Sequence, residues 1–481
     1  MLKEDYEVII GLEVHAELST KSKIFCSCEN SFGGKPNTHC CPVCMGLPGA
    51  LPVLNEKVVE YSIKAGLATN CNITKLSKND RKNYYYPDLP KSYQISQFNK
   101  PLCYDGHVDI ELEDGSVKTV GIERIHIEED AGKLNHSEFS KGSLVDLNRA
   151  GVPLIETVSK PDLRSSKEAE IYLKKIKSIF EYIGVSDCKM QEGSFRADVN
   201  VSVRKKGETK FGTRTEMKNM NSFRAITRAI DYEAQRQIEI LENGGEIIQE
   251  SLRWDDVSGK TFSMRNKENA QDYRYFPEPD LGLISISDEY INKVKENLPE
   301  LPESRCKRYI NVLGLTLKDA NMITQSRFLS DMFEKAGIIS NNYKATANWL
   351  LSDVSRLVNE KEIEYNQIPF SAESLAELIV LIDKNIISTA IAKKVLEEMF
   401  ETNKSPEIII EEKGWKQISD EGAISKIVDE ILDNNPDSIS AYKAGKDKAL
   451  GFLVGQAMKQ TKGKANPKML NELFIKGINE R

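Results

Sequence analysis

The stretch Val8 to Leu18, VIIGLEVHAEL, alternates potential metal ligands with a core-forming set. In an extended strand successive side chains point to opposite faces, so Ile10, Leu12, Val14, Ala16 and Leu18 share one face and Gly11, Glu13, His15 and Glu17 the other. An imidazole between two carboxylates suits a metal or acid–base site; the same residues also suit a half-solvated strand surface. A second acidic stretch, IERIHIEEDAGKL, puts Arg124, His126, Glu128 and Asp130 on one face and Ile125, Ile127 and Glu129 on the other. Consecutive acids beside a histidine at a strand end, just before a glycine, suit a hard cation. Further on, Glu156 interrupts the apolar run of VPLIETVS, where a carboxylate is costly unless it is paired or metal-bound.

Thiols form a separate group. Of the nine cysteines, Cys26, Cys28, Cys40, Cys41 and Cys44 are crowded together and the other four are scattered. In a reducing compartment that crowding favours metal over disulfides. Cys26 and Cys28 with Cys41 and Cys44 offer two close pairs, the donor set of a closed tetrahedral zinc site, and leave Cys40 over. Buried free thiols are the alternative.

These residues need elements to hold them. The hairpin signal Asp114-Gly115 turns the chain into the strand carrying Glu128. Ser165-x-x-Glu168 reads as a capping box opening a core-facing helix that stops at Gly184. Arg196, Asp198, Asn200, Ser202 and Arg204 alternate with apolar residues, and Arg214, Glu216 and Lys218 follow on one face. Two such neighbouring strands predict a sheet lining a polar cavity. A helix is expected from about Phe223 to Leu241. Between Asn83 and Phe98, four tyrosines and two prolines lie near Lys82 and Lys91, as a wet passage or a packed loop. Ser258-Gly259-Lys260-Thr261 mimics the end of a P-loop, but Trp254 stands where the first glycine belongs. ATP bound in this segment would therefore meet Arg253, Arg265 and Arg274 by side chain.

A length of 481 residues suggests about three domains at ~150 residues each. The formal net charge is -7, so a nucleic-acid surface must be a local patch. Residues 441–468 carry seven lysines and one acid, making Lys459, Lys462, Lys464 and Lys468 candidates for a phosphate backbone or simply a solvated helix end. Gly451 and Gly455 are expected to allow close helix packing. The acidic N-terminus and the lack of any membrane-length apolar run predict a cytoplasmic protein with no membrane segment.

Taken together, IGLEVHAEL, CPVCMGLPGALPVLN, DRKNYYYPDLPKSYQISQF, IEEDAGK, SLVDLNRAGVPLIE, EGSFRADVNVSVR, MKNMNSF and DYRYFPEPDL resemble the B subunits of tRNA-dependent amidotransferases, in order along essentially the whole chain. The resemblance implies an α+β protein. Its parts would be a cradle-like antiparallel β-sheet catalytic domain with a glutamine synthetase-like core and a zinc-binding insert over 1–297, an all-helical domain over 298–404, and a small helical tail domain binding tRNA over 405–481. It further implies ATP- and magnesium-dependent phosphorylation of the side-chain carboxylate of Glu-tRNA(Gln) or Asp-tRNA(Asn), then amidation by ammonia. Carried over by motif, magnesium would be held by His15, Glu128 and Glu156, with Glu13 close to the ion, Glu129 beside the ammonia path, and Lys82 and Lys91 along that passage. The cysteine pairs match the zinc-containing members, and zinc is absent from others.

The chain shows no amidase-type Ser-Ser-Lys arrangement, and Met1-Leu2 excludes an N-terminal cysteine nucleophile, so ammonia is expected from a partner. The resemblance supplies one: an amidase A subunit held by a small C subunit in a heterotrimer. The archaeal E subunit shares the cradle but carries an inserted domain for which this chain has no room. Two other readings compete: a non-catalytic RNA-binding protein with a zinc module, which has no use for an acidic cluster, and a free-standing carboxylate-amine ligase, which has no use for a lysine-rich tail.

Overall fold

The computed structural model describes residues 5–136, 142–220, 222–266, 273–416, 421–461, 465 and 467–481. Contacts divide it into two units, Met1–Leu301 and Pro302–Arg481. The first unit runs β1 (Tyr6–Glu17), α1 (Glu56–Ala68), β2 (Asn72–Ile73), β3 (Leu76–Ser77), β4 (Asp80–Asn83), β5 (Tyr93–Ser96), β6 (Cys103–Glu111), β7 (Val117–Glu129), β8 (Lys133–His136), β9 (Ser143–Asp146), β10 (Pro153–Ser159), α2 (Ser166–Tyr182), β11 (Phe195–Lys205), β12 (Thr215–Met220), α3 (Phe223–Glu242), β13 (Glu250–Asp255), β14 (Lys260–Asn266), β15 (Phe276–Pro277), β16 (Ile284–Ser285) and α4 (Asp288–Glu296).

A nine-stranded sheet in the order β14-β13-β12-β11-β1-β10-β7-β6-β2 places β1 at its centre. Ile10, Val14 and Ala16 of β1 are fully buried, among Tyr172, Leu173 and Ile176 of α2, Ile226 and Ile230 of α3, and Val58 and Ile63 of α1. Each large aliphatic side chain removed from water there contributes about 1.5–3 kcal/mol. A one-residue slip of β1 would expose that set, so burial dictates which face Glu13 and His15 occupy. The expected antiparallel sheet needs one correction: β12 and β13 pair in parallel. The 20-residue helix α3 lies between them and returns the chain to the same end of the sheet, a crossover that antiparallel neighbours do not require.

Local signals act as their chemistry demands. The side chain of Ser165 accepts from the backbone N–H of Glu168 at the start of α2, and Ser222 does the same for Ala225 at the start of α3. Gly115, in the β6–β7 turn, has φ +80, and the Ser116 backbone N–H donates to Asp114. The P-loop mimic falls on the hairpin between β13 and β14. The tyrosine-rich segment is neither helix nor plain loop, because its ends pair as β4 and β5, with β15 on the other side of β4.

The second unit is built from α5 (Pro302–Asn311), α6 (Leu317–Thr324), α7 (Arg327–Ser340), α8 (Tyr343–Trp349), α9 (Ser355–Glu360), α10 (Ala372–Asp383), α11 (Thr389–Thr402), α12 (Pro406–Lys413), α13 (Glu421–Asn434), α14 (Pro436–Lys443), α15 (Lys448–Gln460) and α16 (Pro467–Glu480). It holds two apolar cores. One gathers Tyr309, Phe333, Leu375 and Leu396 and takes in Ile409 and Ile410 of α12, C-terminal of the expected boundary at 404. The other gathers Ile424, Leu432, Leu453, Leu470 and Phe474. On α15 the buried positions are Leu453 and Ala457, whereas a Cβ on Gly451 or Gly455 would meet nothing within 4 Å among the described residues. The expected close packing through these glycines is therefore absent there. No helix among the described residues is long and apolar enough to cross a membrane.

Candidate functional site

Strand register, which sequence parity leaves open, assembles the acidic face. On β1, His15 lies opposite Glu156 of β10 and Arg196 of β11, and Glu156 lies opposite His126 of β7. Directly opposed residues of antiparallel strands point to the same face, so Arg196, His15, Glu156 and His126 form one row across four strands. Glu128, two residues beyond His126, joins the row at its edge. The Nε2 of His15 is 3.4 Å from Glu156 Oε2 and 3.8 Å from Glu128 Oε1. The Nε2 of His126 is 3.5 Å from Glu156 Oε2 and 3.7 Å from Glu128 Oε2. One donor atom from each of His15, Glu128 and Glu156 lies within 4.8 Å of the others.

The row is buried, and its charges offset that burial. Burial alone would raise the Glu156 carboxyl, but His126 and His15 hold it well below the usual carboxylate range. Glu128 is likewise lowered against its burial, by His126 and then Lys82. His15 is pushed up to about 9 despite burial, because Glu156 accepts from it. Lys82 reaches the same space, with its Nζ 5.0 Å from the centre of the Tyr273 ring. Burial disfavours its charge, but Glu128 and Glu156 outweigh that and raise its pKa.

Beside this row lies a second group. Oxygens of Glu13, Asp198 and Glu216 also come within 4.8 Å of one another. Lys218 Nζ sits 2.9 Å from Asp198 and 2.8 Å from Glu216, placed there by a register shift in the β11–β12 pairing. Asn200 donates to Glu13 at 3.0 Å. Burial and then Glu156 raise the Glu13 carboxyl. His15, Lys82, Glu128, Arg196, Asp198 and Lys218 line a cavity of about 570 Å³, within the size range of small-molecule sites.

A model of the GatB/GatE catalytic domain matches residues 8–292, and a model of the GatB domain matches residues 331–478. The chain belongs to the GatB family. It is similar to the B subunit of the aspartyl/glutamyl-tRNA(Asn/Gln) amidotransferase of Caldicellulosiruptor bescii, 59% identical over 473 residues covering 98% of each chain. The protein of the same name from Thermoanaerobacter pseudethanolicus is 58% identical over 469 residues, again 98% of each. That from Clostridium novyi is 56% identical over 475 residues, 99% of this chain and 100% of its own.

The remaining candidate residues of this GatB-family chain are dispersed. Glu129 points away from Glu128, as strand alternation requires, and both its oxygens accept from Lys91, at 2.5 and 2.6 Å. The Ile95 backbone N–H also donates to it, at 2.8 Å. Arg253 lies opposite Lys218 on β13, exposed, with its guanidinium 5.8 Å from the Phe262 ring centre. Arg274, exposed in the segment entering β15, offers its carbonyl to Asn83. Arg265 lies on β14 opposite Ser251, its side chain outside the described residues. Arg253 and Arg265 thus sit on the paired strands β13 and β14, and Arg274 lies outside them, before β15. Lys459 and Lys468 are exposed on α15 and α16; Lys462 and Lys464 lie outside the described residues.

Cys26, Cys28, Cys41 and Cys44 bring their sulfurs within 4.8 Å of one another. The Sγ of Cys44 is 3.5 Å from that of Cys26, 3.8 Å from Cys41 and 3.9 Å from Cys28. A tetrahedron of sulfurs about 2.3 Å from a central zinc has edges of about 3.8 Å, so the donor set fits that ion. Cys40 turns away and donates to the carbonyl of Asn37 at 3.3 Å. Sequence reasoning missed Lys23, which is fully buried and donates to the carbonyls of His39 and Ala150, each at 2.7 Å, with Cys44 Sγ at 3.6 Å. Cys26, then the backbone of Cys41 and then Lys23, hold the Cys44 thiol well below its ordinary range against its burial. The polar cavity predicted from the faces carrying Asp198 and Lys218 is present, since both line it. What was missed is that His126 stands in the row and that Asp198 and Glu216 converge with Glu13 around Lys218. Parity had put His126 on the Glu128 face; nothing local indicated that Glu156 would lie opposite it.

Proposed function

We propose that this chain is the B subunit of a tRNA-dependent amidotransferase, a ligase that converts the side-chain carboxylate of Glu-tRNA(Gln) or Asp-tRNA(Asn) to the amide. The observation that carries this reading is the row of His15, Glu156 and His126 with Glu128, on the open face of the domain that matches the GatB/GatE catalytic domain. A carboxylate is a poor electrophile. Transfer of a phosphoryl group from ATP to one carboxylate oxygen makes that oxygen a leaving group, and ammonia from a glutaminase partner then displaces phosphate.

The chain's own residues supply charge and position. His15, Glu128 and Glu156 would hold magnesium, two carboxylates providing the oxygens that a hard cation takes and the imidazole a third donor. Bound there, the ion would neutralise phosphate oxygens. Glu13 stands next along β1, close to that ion. Lys82 brings a fixed positive charge to the same space, where charge develops on the transferring group. Glu129 and Lys91, paired on the other side of β7, line the ammonia route. Arg253, Arg265 and Arg274 are assigned to nucleotide phosphates. The four thiolates hold a structural zinc that fixes an otherwise irregular segment and does not react.

Residues 405–481 form the tRNA-binding tail, with Lys459, Lys462, Lys464 and Lys468 meeting its phosphates. The partners are an amidase A subunit and a small C subunit, and the heterotrimer acts in the cytoplasm. Incubating this chain and those partners with Glu-tRNA(Gln), ATP and glutamine should yield Gln-tRNA(Gln), and Asp-tRNA(Asn) should be tried alongside. Formation of neither amide would overturn the reading.

A further inference from the structure

The turn that carries two of the four clustered thiols ends against the lysine assigned to the ammonia route. Between Cys41 and Leu47 the Met45 N–H donates to the Cys41 carbonyl and the Leu47 N–H to the Pro42 carbonyl, each at 2.9 Å. Gly46 closes this turn with φ +62, the left-handed conformation that ends a helical turn. Gly33 and Gly49 of the same segment also have positive φ, but a Cβ on either would meet nothing within 4 Å among the described residues. At Gly46 a Cβ would stand 2.7 Å from Lys91 Cγ, 3.1 Å from the Lys91 backbone nitrogen and 3.2 Å from the Pro90 carbonyl carbon. Backbone conformation accounts for the first two glycines, whereas Gly46 is also demanded by a neighbour.

Lys91 has no room to step aside. Its side chain is only 14% exposed, and its Nζ is tied to both oxygens of Glu129. The Cγ that Gly46 touches therefore lies in a stem held at both ends. The beginning of the same loop is gripped as well. Lys23 donates to the carbonyls of His39 and Ala150, and the His39 N–H donates to the Asn148 side chain at 2.8 Å, which binds the thiol segment to residues 147–150. Leu147 in turn stands 3.0 Å from where a Cβ on Gly132 would be, and the Gly132 N–H donates to the Asp88 carbonyl at 2.9 Å.

We infer that the thiol segment positions Lys91 on Glu129, with Gly46 as the positioning residue that seats the lysine's stem. The inference rests on the reading of Lys91 and Glu129 as lining the ammonia route. Disturbing the contact should uncouple ammonia delivery from phosphoryl transfer, because His15, Glu128 and Glu156 are placed by strand register and not by this turn.

The test is the amide formed per glutamine hydrolysed by the assembled amidotransferase with Glu-tRNA(Gln) and ATP. Gly46→Ala should lower that ratio roughly threefold or more, with tRNA-dependent cleavage of ATP falling far less and about one zinc per chain retained. Lys91→Ala removes the Cγ, so Gly46→Ala should cost nothing further in that background; any strain at the positive φ is common to both backgrounds and cancels in the cycle. Lys91→Ala enzyme that couples as well as wild type removes the ammonia-route reading, and the inference with it. Lys91→Ala enzyme that uncouples, with Gly46→Ala coupling normally or lowering the ratio equally in both backgrounds, overturns the positioning alone. If Gly46→Ala fails to fold, wild-type enzyme stripped of zinc by a chelator decides: the ratio should fall and recover when zinc is returned, and stripped enzyme that couples normally overturns the inference.

Discussion

The thiol cluster and the acid–imidazole row each bring their donor atoms within 4.8 Å, but they are assembled in opposite ways. The four cysteines come from one irregular segment spanning residues 26–44, tied to the rest of the unit by the buried Lys23. His15, Glu128 and Glu156 come from three strands of a single sheet, and their approach is set by register and by the core packed beneath them. The difference teaches where each should be fragile. The thiol segment has little apolar burial of its own and should depend on an ion, whereas the row is imposed by the hydrophobic face of β1 and should keep its shape when a ligand is changed.

The largest expected effect tests that claim directly. Glu156→Gln keeps the shape of the row while removing a charge that magnesium held there would need, so turnover should fall at least ~100-fold with tRNA binding retained. A variant with near-normal turnover would remove Glu156 from the site. In the thiol cluster the order of effects should reverse. Carefully prepared protein should contain about one zinc per chain, and Cys41→Ser should abolish most of it and lower the melting temperature of the first unit by several degrees, with turnover falling less than about tenfold. Zinc-free wild-type protein that melts normally would show the four thiols to be unligated.

Lys218 sharpens the comparison from within the sheet. Its ammonium sits among Asp198, Glu216 and Glu13, so Lys218→Gln leaves carboxylates facing one another without a cation. Thermal stability should drop by about 1–3 kcal/mol in chelator and recover on adding magnesium. Loss that magnesium cannot restore would mean the lysine is needed for packing rather than charge. The smallest effect is expected far along the chain, where neither core burial nor an ion is at stake. Replacing Lys459 and Lys468 by Ala should weaken tRNA binding a few-fold and reduce the salt slope by about 2. An unchanged slope would leave these lysines as a solvated helix end.

Several features were legible because their physics is local. The face carrying Glu13 and His15 follows from alternation in β1, the start of α2 from Ser165, and the β6–β7 turn from Asp114-Gly115. The pairing of Cys26 and Cys28 with Cys41 and Cys44 needed only their spacing, since a tetrahedral ion tolerates many loop paths between its ligands. The family, too, could be read from motifs along the chain. What the sequence left open depends on partners distant in the chain. The opposition of Glu156 to both His15 and His126 is a matter of register between strands that are far apart in the chain. The parallel pairing of β12 and β13 came from the path of α3, and the position of Lys218 from an irregularity in the ladder. Alternation decides which way a side chain points, and it is encoded residue by residue; which residue stands opposite it is decided by how the whole sheet and its helices bury their apolar surface together.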